Sequence, residues 1–346
     1  MASLRFKQVI LIAVTIFSLG CKTDRKDDLQ AVLQYEEGSA LGTTYHIQYE
    51  VDHDSIRLRN EIEKVFENVN RSMSTYIPTS DISKINKGDS TIVVDPYFKE
   101  VFFKAQEVWR KTNGMFDPTV GALVNAWGFG PDKALKKIGQ EQVDSILEFT
   151  GFDKVSVKEN GSVHKDHPYV YFDFNALAKG YTLDLIGRMF DTHEVENYII
   201  EIGGEIVAKG KNVVKDKDWV VAIDNPMQQE GERTLIAKLK LNNQAMATSG
   251  NYRKFRIDSV TGDRYVHTIN PKTGYTQKSD VLSVTVVAPT CMEADAYATA
   301  FMAMPFDASK ALLGKLKDVE AYFISAGGKD SLKEYKTEGF RKLLVE

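Results

Sequence analysis

Apolar and polar residues alternate along Thr43–Val51 (TTYHIQYEV), the period-two pattern of a half-buried strand. From Asp54 to Met73 the period changes. Ile56, Ile62, Val65, Phe66 and Val69 recur at helical spacing, with Asp54 placed to cap the helix. A second helix is predicted from Pro96 to Thr112, with Val101, Phe102, Ala105, Val108 and Trp109 facing inward and Asn113-Gly114 stopping it. Leu177–Phe190 reads as a third helix, and Met292–Met304 as one built largely of small residues. The second half of the chain is rich in strands: Tyr198–Ile202, Ile206–Lys209, Trp219–Ile223, Leu235–Leu241, Lys254–Ile257 and Val281–Val287, then Phe323–Ile324 and Arg341–Val345. Strands and helices do not alternate regularly, so the pattern predicts an α+β fold, with mixed or antiparallel sheets and flanking helices. No internal repeat and no interior Pro-, Gly- or Ser-rich linker interrupts the chain, which favours one compact domain.

The N-terminus has a different character. Arg5 and Lys7 precede an apolar run, Val9–Leu19, too short for a comfortable bilayer span of roughly 20 residues. Ser18-Leu19-Gly20-Cys21 and the polar KTDRKDD follow, and together these resemble a bacterial lipoprotein cleavage site. The expected division is a signal peptide over 1–20, a tether over 21–39 carrying lipid on Cys21, and a catalytic domain over 40–346. An uncleaved anchor is the other reading. Cleavage removes Arg5 and Lys7 but no acid, so the formal charge moves from −4 to −6. No block of basic residues suggests a nucleic-acid partner. With Cys21 lipidated, Cys291 is the remaining thiol of the two cysteines, and no intrachain disulfide can form.

Four clusters carry candidate chemistry. GMFDPTVGALVNAWGFGP (114–131) surrounds Asp117 with glycines and aromatics, which suits either a ligand approaching backbone or a turn over core rings. DFNALAKGY (173–181) places Asp173 and Asn175 where a helix begins, with Lys179 in its first turn, either as a cap or as an anion site. AMATSGNY (245–252) and YVHTINPKTGY (265–275) put His267 between a strand and a turn. In EADAYATAF (293–301), Asp295 and Thr299 are spaced to share a helix face and offer the hard oxygens that Mg²⁺ prefers; a cap or an ion pair is the plainer role for the acid. His164 and His167 form an HxxH in a polar stretch that reads as a solvated loop.

These clusters, together with LGTTY, MSTYIPTSDISKIN, IEIGGEI and HTINPKTG, resemble in their motifs and in the order of those motifs along the chain the ApbE family of FAD:protein FMN transferases. The resemblance extends from about Ala40 to Val345. It implies a domain that binds FAD and Mg²⁺ and transfers the FMN half of FAD to a Thr or Ser hydroxyl of another protein, releasing AMP. It implies acceptors that are subunits of membrane redox complexes, and a lipid-anchored enzyme on the periplasmic side of the inner membrane, with the outer membrane as the alternative.

By motif position, Leu41, Tyr76, Met115, Phe116, Asp117, Asp173, Lys179 and Ile269 match residues lining the family's FAD site. Tyr76 and Phe116 are expected to hold a ring of the dinucleotide. Asp295, Thr299 and the backbone carbonyl of Ala176 match its metal ligands, and His267 matches a histidine suited to take the proton of the attacking hydroxyl. The chain departs from many members with Leu41 in place of Met, and from some with Ala298 in place of a second acid, which leaves water or phosphate to complete the metal shell. Two other activities fit the same residues: a Mg²⁺-dependent FAD pyrophosphatase and a non-catalytic FAD-binding lipoprotein.

Overall fold

A computed structural model describes residues 32–52, 57–135, 138–228, 232–250, 255–257, 264–266, 268–276, 279–327 and 331–345. In chain order, the elements are β1 (Val32–Ala40), β2 (Thr43–Val51), α1 (Arg59–Met73), α2 (Asp81–Asn86), α3 (Pro96–Lys111), α4 (Gly121–Ala126), α5 (Gln140–Leu147), β3 (Val155–Val157), β4 (Val163–Lys165), α6 (Ala178–Thr192), β5 (Tyr198–Ile202), β6 (Glu205–Lys209), β7 (Lys211–Asn212), β8 (Lys217–Asp224) and β9 (Leu235–Leu241). There follow β10 (Gln244–Gly250), β11 (Phe255–Ile257), β12 (Arg264–Val266), β13 (Val281–Ala288), α7 (Cys291–Ala303), α8 (Phe306–Leu313), β14 (Glu320–Ala326), β15 (Leu332–Lys336) and α9 (Glu338–Leu343).

The organising feature is one eight-stranded sheet, in the order β1-β2-β5-β6-β10-β13-β14-β15. Every neighbouring pair in it is antiparallel. Helices cover it, so the architecture is the expected α+β. The register brings one set of strand ends together. The β1–β2 turn at Leu41-Gly42, the β5–β6 turn at Gly203-Gly204 and the C-terminal end of β10 all lie at one edge, because Tyr45 pairs with Ile202, Ile202 with Glu205, and Met246 with Ile206.

Local sequence explains the helices that matter most. The Asp95 carboxylate accepts the Phe98 N–H and Pro96 opens α3, whose inner face is Phe98, Val101, Phe102, Ala105 and Val108. The helix stops where Asn113 and Gly114 turn left-handed, at φ 51° and 77°. Helix α7 is buried on nearly all sides, with Glu293 and Thr299 the exceptions among its 13 residues. Alanines at 294, 296, 298 and 300 let it lie close to β10, β13 and α6. At the crossing with α6, a Cβ on Gly180 would stand 2.3 Å from the Cys291 carbonyl oxygen.

Three expectations need correction. The tether cannot reach residue 39, because Val32–Ala40 is an edge strand paired with β2 along its whole length. The first helix starts at Arg59 behind Leu58, and the expected cap, Asp54, lies outside the described residues. The expected C-terminal strand over 341–345 is mostly helix: Phe340 is buried within α9, and Leu344 beyond it makes a single bridge to Leu239.

The core also sets a pH limit. Burial, followed by neighbouring acids, holds the phenols of Tyr181, Tyr198, Tyr297 and Tyr322 far above their ordinary value of 10.0. A raised folded-state pKa gives stability that is whole below the unfolded value and is lost as the pH rises above it. Denaturant melts should therefore give midpoints that fall steeply above about pH 10. Tyrosinate absorbance should appear with unfolding; tyrosinate forming in a still-folded chain would contradict the burial.

Candidate functional site

Helices α6 and α7 cap each other where they cross. The first N–H groups of a helix have no partner within it. The Asp295 Oδ2 of α7 accepts the Gly180 N–H in the first turn of α6, at 3.1 Å. Asp184 of α6 accepts the N–H groups of Cys291 and Met292 at the start of α7, at 2.7 and 2.9 Å. Burial pushes the Asp184 carboxyl up to about 6, against the pull of those two hydrogen bonds. Burial also pushes the Cys291 thiol well up, keeping it protonated and inert.

Lys179 joins this junction to the sheet. Its Nζ lies 2.5 Å from Oε1 of Glu205, the first residue of β6. Burial disfavours the ammonium, but the Glu205 and Asp295 carboxylates outweigh it and hold the lysine above its ordinary range. Burial pushes the Asp295 carboxyl up to about 7, against the pull of the Lys179 ammonium. One half-buried ammonium thus faces two buried carboxyls, and a cation bound at Asp295 would favour its ionised form.

The donors match such a cation. Asp295 and Thr299 are four residues apart on α7, and the Thr299 hydroxyl lies 3.3 Å from that of Ser249 on β10. Ala176, half-buried, belongs to the loop that leads into α6. A carboxylate, a hydroxyl and a carbonyl are hard oxygens of the kind Mg²⁺ takes with waters and phosphate. Among the described residues no group of three or more His, Cys, Asp or Glu could hold a metal, so a nitrogen- or sulfur-rich centre has no support there. His164, expected in a solvated loop, lies instead in β4 opposite Ser156 and pairs with Asp166 on the surface, while His167 beyond the strand stacks on Phe149.

The remaining expected residues fall into three groups. Leu41, Tyr76 and Asp173 are at least partly exposed. Leu41 occupies the β1–β2 turn at φ 51°, a strained conformation for leucine. Tyr76 is 59% exposed, and partial burial and then the charge of Asp173 raise its phenol, so the two lie within electrostatic reach. Asp173 accepts the Asn175 N–H at 2.8 Å and shapes the turn before α6. A second group is committed to packing. The Phe116 ring is 3% exposed within the main core, which removes it as a free stacking face, and Met115 packs beside it. Asp117 is tied to four donors: the Thr119 N–H and hydroxyl, the Phe152 N–H and the Trp109 indole. Ile269 is buried in a small cluster with Leu123, Trp127 and Val143. His267 and Cys21, the third group, lie outside the described residues.

Glu205, in the IEIGGEI segment, joins the site through the fold and is not among the expected residues. Its signal is an acid placed immediately after Gly-Gly at the start of an apolar strand.

The ApbE family model matches residues 41–323. The chain belongs to the ApbE family. Its relatives include proteins named FAD:protein FMN transferase from Haemophilus influenzae, 35% identical over 97% of this chain and 96% of that protein, and from Vibrio cholerae, 35% identical over 89% and 91%. Among solved structures, the flavin transferase ApbE from Vibrio cholerae superposes with a TM-score of 0.79 at 32% identity, covering 91% of this chain and 100% of that one. The ApbE protein of Thermotoga maritima gives 0.78 at 27% identity, over 91% and 100%. The α+β fold in one domain is thus that of the ApbE proteins.

Proposed function

We propose that this chain is an FAD:protein FMN transferase, which moves the FMN half of FAD to a Thr or Ser hydroxyl of an acceptor protein and releases AMP. The observation that carries the reading is the match, over 97% of the chain, to a relative of that name. The Lys179–Glu205–Asp295 cluster supports it, because it combines a fixed ammonium with a carboxyl available to a cation. In the proposed reaction, the acceptor hydroxyl forms a bond to the FMN phosphorus, and the bond from that phosphorus to the bridging oxygen of AMP breaks. The hydroxyl proton passes to a base, for which His267 is the candidate.

Phosphoryl transfer of this kind depends on positioning and on neutralising charge. Lys179 would offset charge on the pyrophosphate, and the exposed face of Tyr76 would support a ring of FAD. Asp295, Thr299 and the Ala176 carbonyl would hold Mg²⁺, which when bound supplies positive charge to the pyrophosphate. The proposed setting is the periplasmic side of the inner membrane, with Cys21 lipidated and the acceptor a subunit of a membrane redox complex.

Replacing His267 with alanine is expected to slow transfer by about 10²-fold or more while FAD still binds. Co-expression with an acceptor domain, followed by in-gel flavin fluorescence of the denatured proteins, reads the result. Transfer at the wild-type rate would remove His267 as the base. Free FMN and AMP without a labelled acceptor in the wild type would favour the pyrophosphatase, and intact FAD the storage protein.

A further inference from the structure

Glu205 is fixed more firmly than its partner. Its strand pairs on both sides, with Ile202 opposite Glu205 in β5 and Met246 opposite Ile206 in β10. The turn before it is pinned by the Gly203 N–H on the Thr44 carbonyl at 3.0 Å, and by the Gly204 N–H on Glu201 Oε1 at 2.6 Å. A Cβ on Gly203 would come within 2.8 Å of Thr43, so this turn also fits closely against the start of β2.

Lys179 has a long flexible side chain, and two buried acids compete for its ammonium. Glu205, 4% exposed, takes it at 2.5 Å through Oε1. Its Oε2 is buried without a hydrogen-bond partner, so nothing else among the described residues occupies that oxygen. Asp295 is held apart by the Gly180 N–H. An ammonium released from Glu205 has Asp295 as its nearest compensation, and in turning there it would neutralise the carboxyl expected to hold the cation.

We propose that Glu205 is a positioning residue for flavin transfer, its carboxylate holding the Lys179 ammonium on the sheet side of the site and leaving Asp295 free for the metal. The proposal rests on the reading of the chain as a flavin transferase. It assigns Glu205 no contact with the reacting atoms; its effect passes through Lys179.

A double-mutant cycle separates this role from a merely structural one. Wild type, Glu205→Gln, Lys179→Met and the double variant are compared in FAD affinity, by quenching of flavin fluorescence with Mg²⁺ present, and in melting temperature. Glu205→Gln is expected to weaken FAD binding about tenfold with Lys179 present and less than about twofold with Met at 179. It is also expected to weaken Mg²⁺ binding in calorimetry. An equal loss of FAD affinity in both backgrounds overturns the proposal, as does a Glu205→Gln protein that matches wild type. If that variant fails to fold, the cycle is run with Glu205→Asp, which keeps the charge, and the same coupling decides. A wild-type chain that binds no FAD would defeat the underlying reading instead, before any variant is made.

Discussion

Changing Asp295 to asparagine is expected to lower flavin transfer by about two orders of magnitude or more with little loss of stability. The two effects separate because the carboxyl has two tasks. Its Oδ2 caps α6 through the Gly180 N–H, and an amide oxygen can accept that bond as well. The negative charge for a divalent cation has no such substitute, since the neighbouring position is Ala298. With Asn at 295, Lys179 and Glu205 would form a balanced pair, so the melting temperature should hold or rise. Asp295→Ala should show the same loss of transfer and an added destabilisation of about 1 kcal/mol from the missing cap. Transfer assayed against Mg²⁺ concentration checks this, and full activity in Asp295→Asn would remove the residue from the metal site.

The second large effect concerns the α6–α7 crossing. Gly180→Ala is expected to destabilise the domain by about 3 kcal/mol, as overpacking against immovable backbone does. The new methyl would meet the Cys291 carbonyl at 2.3 Å, and neither helix can yield without disturbing the reciprocal caps made by Asp184 and Asp295. Because Lys179 is the preceding residue, the ammonium should shift as well, and FAD affinity should fall with stability. A thermal melt paired with flavin quenching measures both. An alanine variant with wild-type melting would mean that the helices do not approach as closely as described.

Much of this arrangement can be read in the sequence, for identifiable reasons. Strands β2, β5 and β9 follow simple patterning and keep their expected bounds, and α3 has a cap, a proline and a stop signal at its ends. Strand β1 escapes because its polarity is inverted: Gln34 and Glu36 are buried while Tyr35 is 64% exposed. Glu36 is tolerated inside because Arg59 pairs with it at 3.1 Å, a contact 23 residues distant that no local pattern reveals. The C-terminal segment misleads in the opposite way. The run of Leu343, Leu344 and Val345 suggests a strand, yet Phe340 is buried from a short helix and Leu343 packs partly buried against the same cluster.

The candidate site divides along the same line. Asp295, Thr299 and Lys179 stand out by spacing and residue type, and α6 and α7 bring them together. Phe116 and Asp117 belong to an equally distinctive motif, but the ring fills the core and the carboxylate serves four donors. Glu205 and Asp184 are the converse. Both are essential to the junction, and both acquire meaning once the sheet and the helix crossing set them against Lys179 and the start of α7.

Stoichiometry distinguishes flavin transfer from hydrolysis most directly. The purified domain is incubated with FAD, Mg²⁺ and the source organism's membrane fraction, and both the AMP released and the flavin that survives denaturation on protein are quantified. Flavin transfer predicts a fluorescent acceptor band and equal amounts of AMP and covalent flavin. AMP released with free FMN and no labelled protein would contradict it.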